Sequence, residues 1–153
     1  MTHPVIHKSF TVERTYPTTA ARVFRAFSDP EKKRRWFAEG EGFEVQRYSL
    51  DFRVGGFERT LFRPEGGPPM TNDCVYLDIV PNERLVFAYS MTFDGAPMSS
   101  SLGTMELLPA GDGTLLRLTE HTAYVDGNDG SAARREGTLQ LLEALAREIA
   151  AHG

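Results

Sequence analysis

A long amphipathic segment near the C-terminus constrains the fold of this chain more than any other feature. Residues 131–151 carry apolar side chains at helical spacing, while charged residues such as Arg134 and Glu148 are assigned to the other faces of the helix. The apolar stripe consists of Leu139, Leu142, Leu145, Ala146 and Ile149. Such a stripe has to be covered, and the largest apolar surface that the chain offers is one face of a β-sheet.

The sheet is predicted from seven segments that have the two-residue periodicity of strands or are bounded by turn residues. Glycine, proline, asparagine and aspartate separate them, as expected for tight turns. The segments are residues 9–16, 43–52, 57–62, 73–80, 84–93, 99–109 and 114–123. The sequence therefore predicts an α+β domain in which an antiparallel meander packs on one long C-terminal helix.

Two short helices are predicted directly after the first strand. Thr18 or Thr19 can cap the first, and Asp29-Pro30 begins the second with an N-cap and a proline at the first helical position. The basic run at residues 32–35 then falls at the negative end of this second helix, where a solvated position explains it without a partner.

Composition excludes several classes of protein. The 153 residues fit one domain, and the net charge of −4 argues against a domain that binds nucleic acid. A single cysteine, Cys74, allows no intramolecular disulfide, and we interpret it as a small buried hydrophobe. Since no stretch is long and apolar enough for a signal peptide or a membrane span, we expect a cytoplasmic protein without a membrane partner.

Several motifs together resemble those of bacterial proteins similar to the C-terminal domain of the activator of heat shock protein 90 ATPase, in the START-like (SRPBCC) superfamily. The resemblance extends from about Phe10 to Ile149. The matching motifs are DFRVGG at 51–56, DIVPNERLVF at 78–87, Gly113-Thr114, Leu118-Thr119-Glu120, Val23-Phe24, Asp29-Pro30 and Trp36-Phe37.

The resemblance implies a helix-grip fold, as in the birch pollen allergen: a seven-stranded curved sheet around the C-terminal helix, in one START-like domain over residues 1–153 with its core at about 9–151. It also implies a deep cavity between sheet and helix, which this superfamily uses for hydrophobic ligands. We therefore expect a non-enzymatic or weakly catalytic binder of a small hydrophobic or amphipathic molecule, without a cofactor.

Two other functions stay open, and each belongs to a different class. One is an enzyme resembling the polyketide cyclases of the superfamily, which acts on a ligand inside the cavity. The other is a module that regulates a chaperone ATPase, although the chain has no residues left to build the additional N-terminal domain of the eukaryotic activator. Free edge strands also allow a homodimer.

The candidate ligand-binding residues are aromatic and methionine side chains together with a few polar groups, because small-molecule pockets combine apolar walls with a few placed polar atoms. We expect Phe87, Tyr89 and Met91 to share one face of their strand with Leu85. The full set is Trp36, Phe37, Phe57, Arg59, Tyr76, Phe87, Tyr89, Met91, Ser101, Met105, Glu120 and Tyr124.

Other candidate sites are weaker. Glu120 and His121 are neighbours on a strand, so they point to opposite faces and cannot form a hydrogen-bonded catalytic pair. The four histidines are scattered along the sequence, and residues 126–130 are predicted to form a turn, so no metal site is predicted. Gly137 lies inside the last helix, where a glycine indicates that the helix comes close to the sheet or to the mouth of the pocket.

Overall fold

The computed structural model describes residues 3–40 and 42–153. Its seven strands are β1 (Ile6–Tyr16), β2 (Phe43–Leu50), β3 (Phe57–Pro64), β4 (Met70–Val80), β5 (Arg84–Phe93), β6 (Ala96–Ala110) and β7 (Gly113–Tyr124). The helices are α1 (Ala20–Ser28), α2 (Pro30–Lys33) and α3 (Ser131–His152), and a π-helical segment, Arg34–Ala38, continues α2.

All seven strands form one antiparallel sheet in the order β1-β7-β6-β5-β4-β3-β2. Consecutive strands pair from β2 to β7, and β1 closes the order by pairing with β7. We call the face that packs against the helices the inner face and the opposite one the outer face. The predicted α+β helix-grip arrangement is therefore confirmed, including the two short helices after β1.

Local capping explains where the short helices begin. The Thr19 side chain accepts a hydrogen bond from the backbone N–H of Arg22, and Asp29 Oδ1 accepts two, from the N–H groups of Glu31 and Lys32. Pro30 occupies the first helical position, where it has no hydrogen bond to lose. These contacts fix the chain direction between β1 and the π-helical segment.

The interpretation of residues 32–35 as a solvated run is wrong for one member. Lys33 is only 5% exposed, because its ammonium group points inward and lies over the rings of Phe27, Trp36 and Phe37. The π-helical segment turns Trp36 inward as well, and its indole N–H donates to the Ala26 carbonyl. One face of this segment is therefore part of the core.

The packed core lies between α1, α3 and one end of the sheet. On α3 the buried positions are Thr138, Leu142, Leu145 and Glu148, and the Tyr16 hydroxyl donates to the Leu142 carbonyl at 2.9 Å. The sequence assigns Glu148 to a face away from the apolar stripe, but it is buried with the core, where Arg35 pairs with both of its oxygens.

The prediction for Gly137 is also wrong. A Cβ added to Gly137 would meet nothing within 4 Å, so this glycine does not mark a close approach. In the described part of the chain, no helix combines the length and the apolar character that crossing a bilayer requires.

Candidate functional site

The strand register arranges the inner-face side chains in rows that run across the sheet. Residues that pair directly have Cβ atoms roughly 5 Å apart, so each row is a line of neighbours. One row consists of Ile79, Leu85, Met105, Leu118 and Val12, and it is apolar. The next two rows carry hydroxyl and carboxyl groups: Tyr76, Phe87, Gly103, Glu120 and Phe10, then Glu58, Cys74, Tyr89, Ser101 and Thr122. The inner face thus changes from an apolar end to a polar end.

Aromatic rings line the boundary between the two ends. The rings of Phe52 and Tyr76 are 5.1 Å apart, those of Tyr76 and Phe87 6.5 Å, and those of Phe87 and Tyr89 6.2 Å with nearly parallel planes. Phe87 lies across Gly103 on the neighbouring strand, which has no side chain in its way. We call Phe52, Tyr76, Phe87 and Tyr89 the aromatic wall.

A carboxyl group is buried beside this wall. Glu120 is 5% exposed, and its Oε1 accepts a hydrogen bond from the Tyr89 hydroxyl at 2.5 Å. Burial raises the pKa of Glu120, while the Tyr89 hydrogen bond and the charge of Arg134 act in the opposite direction without cancelling it.

Arg134, from the first turns of α3, covers this polar end. Its guanidinium donates to the hydroxyls of Ser99 at 2.7 Å and Tyr89 at 3.1 Å. It also lies over the rings of Tyr89 and Tyr124, 5.7 and 5.5 Å from their centres, which is within cation–π range. Arg134 is partly exposed. Its cation therefore lies at the boundary of the interior, where hydroxyls and aromatic rings hold it in place.

A second polar cluster lies at the β3 side of the inner face. Lys33 Nζ is 2.9 Å from Glu58 Oε1, and both side chains are almost completely buried. The hydroxyls of Tyr76 and Tyr48 each donate to Glu58 at 2.7 Å. Burial is the main cause of the raised pKa of both tyrosines, and the neighbouring Glu58 carboxylate adds to it.

Two further inner-face groups lie near Glu58. Thr60 is 5% exposed, and its hydroxyl oxygen has no hydrogen-bond partner among the described residues. Cys74, directly opposite Glu58 in the register, is a free thiol whose pKa burial raises to about 12. At neutral pH Cys74 is therefore an uncharged, buried group, as its sequence context indicates.

Two cavities are prominent, and neither is the closed space between sheet and helix that the resemblance implies. One is a groove of about 510 Å³ on the outer face of β1, β7 and β6, lined among others by His7, His121 and Leu102. The other, about 190 Å³, lies between Tyr16 at the end of β1 and Ile149 on α3. A ligand on the inner face therefore has to contact side chains that the helices leave partly exposed.

Eight predicted site residues lie on the inner face. Phe87 and Met91 are partly exposed, whereas Met105 is fully buried beneath the helices. The inner-face members are Tyr76, Phe87, Tyr89, Met91, Ser101, Met105, Glu120 and Tyr124. Trp36 and Phe37 lie on the π-helical segment, with ring centres 5.9 Å apart.

The placement of Phe57 and Arg59 corrects the expectation that they line the same site. Phe57 is 45% exposed, and the Arg59 guanidinium lies over its ring at 4.6 Å on the outer face. The physical reason is that Glu58 and Thr60 take the inward positions on β3, since Glu58 meets Lys33 there. On β3, the buried side is therefore the one that carries the Glu58 carboxylate.

Sequence reasoning missed Arg134, Glu58 and Lys33. For Arg134 the sequence does contain a signal. Its spacing from the buried Thr138 and Leu142 is that of successive helical turns, so it lies on the same face of α3 as they do. For Glu58 and Lys33 no local pattern was available, since their pairing joins β3 to the end of α2. Among the described residues, no three His, Cys, Asp or Glu side chains come together in a way that could hold a metal ion.

Comparisons with known proteins agree with this architecture. The family model described as "Activator of Hsp90 ATPase homolog 1-like protein" matches residues 17–150. The structure of the Mll3558 protein from Rhizobium loti is 51% identical, with 95% of this chain and 99% of that chain covered and a TM-score of 0.89. A protein from Rhizobium leguminosarum is 36% identical, with 97% and 98% coverage and a TM-score of 0.93.

The family match and the fold define the class: the chain belongs to the Activator of Hsp90 ATPase homolog 1-like family, with a START-like fold. DynU16, from the dynemicin biosynthetic locus, shares the fold at 21% identity and a TM-score of 0.64, with 91% of this chain and 46% of that chain covered. No curated protein is similar enough to this chain to match it.

Proposed function

We propose that the protein binds a small amphipathic molecule on the inner face of its sheet, with the apolar part against Phe87 and Met91. The observation that carries this proposal is the partial exposure of both side chains on a face where the adjacent Leu85, Tyr89, Met105 and Ser101 are buried. An apolar surface with placed hydroxyls and one carboxyl at its border is typical of small-molecule sites. Membership of a family with a START-like fold, which commonly binds ligands, supports the same conclusion.

The position of α3 gives the ligand a way to reach this surface. Its buried side chains, from Thr138 to Glu148, belong to the core near α1, β1 and the π-helical segment. Met91 lies near the other end of the inner face, where β5 turns into β6. We therefore expect a ligand to enter beside Met91 and either to pack against the Phe87 ring or to displace it.

The direct test is a titration with N-phenyl-1-naphthylamine, an uncharged probe whose fluorescence rises in apolar surroundings. We expect saturable binding to the wild type and at least a several-fold weaker affinity for Phe87→Ala, because the ring forms the middle of the wall. Phe57→Ala is the matched control, since Phe57 is an aromatic residue on the outer face.

Native mass spectrometry of the protein as purified adds an independent readout. A co-purified molecule of constant mass, lost on denaturation, would identify the ligand. If Phe87→Ala and Phe57→Ala weaken probe binding equally while both variants stay folded, the probe binds at a surface other than the inner face. Absence of any saturable fluorescence change in the wild type would contradict the proposal.

One observation favours a second function. Tyr89 and Glu120 form a short hydrogen bond beside the aromatic wall, and the raised pKa of Glu120 keeps a proton available closer to neutral pH. An enzyme of the polyketide-cyclase type would use this pair as acid and base on a bound ligand. Once the ligand is identified, its conversion by the wild type but not by Glu120→Gln would establish this activity.

A further inference from the structure

We propose that the ligand carries a negatively charged head group, which Arg134 binds, and that binding is coupled to protonation of Glu120. This inference rests on the proposed function, because it names the chemistry of the same site. It concerns the polar end of the inner face, where α3 meets Ser99, Tyr89 and Tyr124.

Arg134 is a cation whose charge has no direct partner in the described part of the chain, since no carboxylate oxygen there lies within 4.0 Å of it. Its hydrogen bonds go to the hydroxyls of Tyr89, Ser101 and Ser99, which are neutral and leave its charge in place. Asp129, an acid that precedes α3, is already bonded to Ser131 and lies 3.6 Å from Lys8. Arg134 is thus prepared for an anion.

The position of Arg134 matches that of an amphipathic ligand. Ser99, which accepts from Arg134 at 2.7 Å, is directly opposite Met91 in the register. A molecule whose apolar part covers Met91 and Phe87 therefore places its head group next to the guanidinium. The rings of Tyr89 and Tyr124 lie next to the guanidinium, so the space beside it suits a compact head group.

Glu120 adds the coupling to a proton. It is connected to Arg134 through the Tyr89 hydroxyl, which donates to Glu120 and accepts from Arg134. When Glu120 is ionised, it balances the charge of Arg134, and an added anion would be repelled. When Glu120 is protonated, the cluster has a net positive charge, and an anion is attracted.

The other titratable groups that face Glu120 are neutral near pH 7. Burial raises the pKa of the Tyr89 and Tyr124 hydroxyls and that of the Cys74 thiol. On the paired strands, Phe10 and Gly103 are opposite Glu120 and carry no charge. Lys8 and Asp129, at the same end, lie 3.6 Å apart and carry opposite charges, so Arg134 and Glu120 set the net charge of this end of the inner face.

Two probes with the same chain and different heads test the proposal: 1-decanesulfonate, which stays ionised at all relevant pH values, and uncharged 1-decanol. Each competes with N-phenyl-1-naphthylamine for the wild type. We expect the sulfonate to bind roughly tenfold more tightly or better, as a charge-assisted hydrogen bond allows. Arg134→Gln should remove this preference, whereas Arg135→Gln, at the exposed next position, should keep it.

The pH dependence tests the role of Glu120. The affinity for 1-decanesulfonate should fall as the pH rises through the pKa of Glu120, and Glu120→Gln should bind equally well across that range. If both probes bind the wild type equally, or if Arg134→Gln keeps the preference, the head-group inference is overturned while the binding function stands. If neither probe competes and the fluorescent probe does not bind, the proposed function itself fails.

Discussion

Lys33 and Glu58 form an ion pair of 2.9 Å in which the two side chains are only 6% and 4% exposed. The pair connects the end of α2 to β3 on the inner face of the sheet. The Lys33 ammonium also lies 4.4 Å from the centre of the Phe37 ring, and two tyrosines donate to Glu58. Each charge thus has several partners that replace water, which a buried pair needs to be tolerated.

Loss of one member of this pair should destabilise the protein more than loss of an exposed pair. For Lys33→Ala we expect roughly 3–5 kcal/mol lower stability, because Glu58 is left buried without its counter-charge. Urea unfolding followed by circular dichroism measures the change. Arg34→Ala is the control, since its pair with Glu39 is exposed and worth about 1 kcal/mol or less.

The double variant Lys33→Met with Glu58→Gln separates charge from packing. Because neither buried charge then remains, its stability should be higher than that of Lys33→Ala. A double variant as unstable as the sum of the two single changes would contradict the structural account of the pair.

Gly103 and Gly137 should respond in opposite ways to substitution by alanine. A Cβ at Gly103 would lie 2.5 Å from the Phe87 ring, so Gly103→Ala should displace the ring and cost about 1–3 kcal/mol. Gly137→Ala meets open space within a helix and should stabilise by about 0.5–1 kcal/mol. Thermal unfolding compares both variants, and a neutral Gly103→Ala would show that the Phe87 ring is not held where the structure has it.

The contrast between these glycines shows what the sequence can and cannot predict. Periodicity and turn residues together located all seven strands and α3, because burial of one face leaves a repeating pattern and tight turns need particular residues. The pattern does not reveal which glycine lies under an aromatic ring, since this depends on pairing between β5 and β6. The same limit explains Phe57 and Glu58: both faces of β3 mix apolar and polar residues, and the Lys33 contact that decides between them is distant in sequence.

Stability should depend on pH through Glu120. Its pKa is raised above the ordinary 4.5, so the folded state holds its proton more strongly than the unfolded state does. The contribution of Glu120 is therefore favourable below about pH 4 and is lost as the pH rises through the folded-state pKa. Relative to Glu120→Gln, the wild type should become less stable in urea unfolding as the pH rises above about 4.

A difference between wild type and Glu120→Gln that stays constant over this range would show that Glu120 titrates normally. The comparison with the variant is essential, because other groups titrate in the same range and their effect cancels in the difference.

Cys74 should be unreactive while the protein is folded. Burial raises the pKa of its thiol to about 12, so almost no thiolate exists near pH 8, and the side chain is 6% exposed. Ellman's reagent should label Cys74 rapidly in urea and only at the rate of unfolding in buffer. Fast labelling of the folded protein would show that the inner face near Glu58 is open to solvent.

The central claim is that the ligand site lies on the inner face beside Met91. The chain has five methionines, so a spectrum of the protein with carbon-13-labelled methionine methyl groups is simple to assign by substitution. On titration with N-phenyl-1-naphthylamine, we predict a saturable shift of the Met91 methyl signal with the affinity measured by fluorescence. An unchanged Met91 methyl signal at probe concentrations that saturate the fluorescence change would contradict this account.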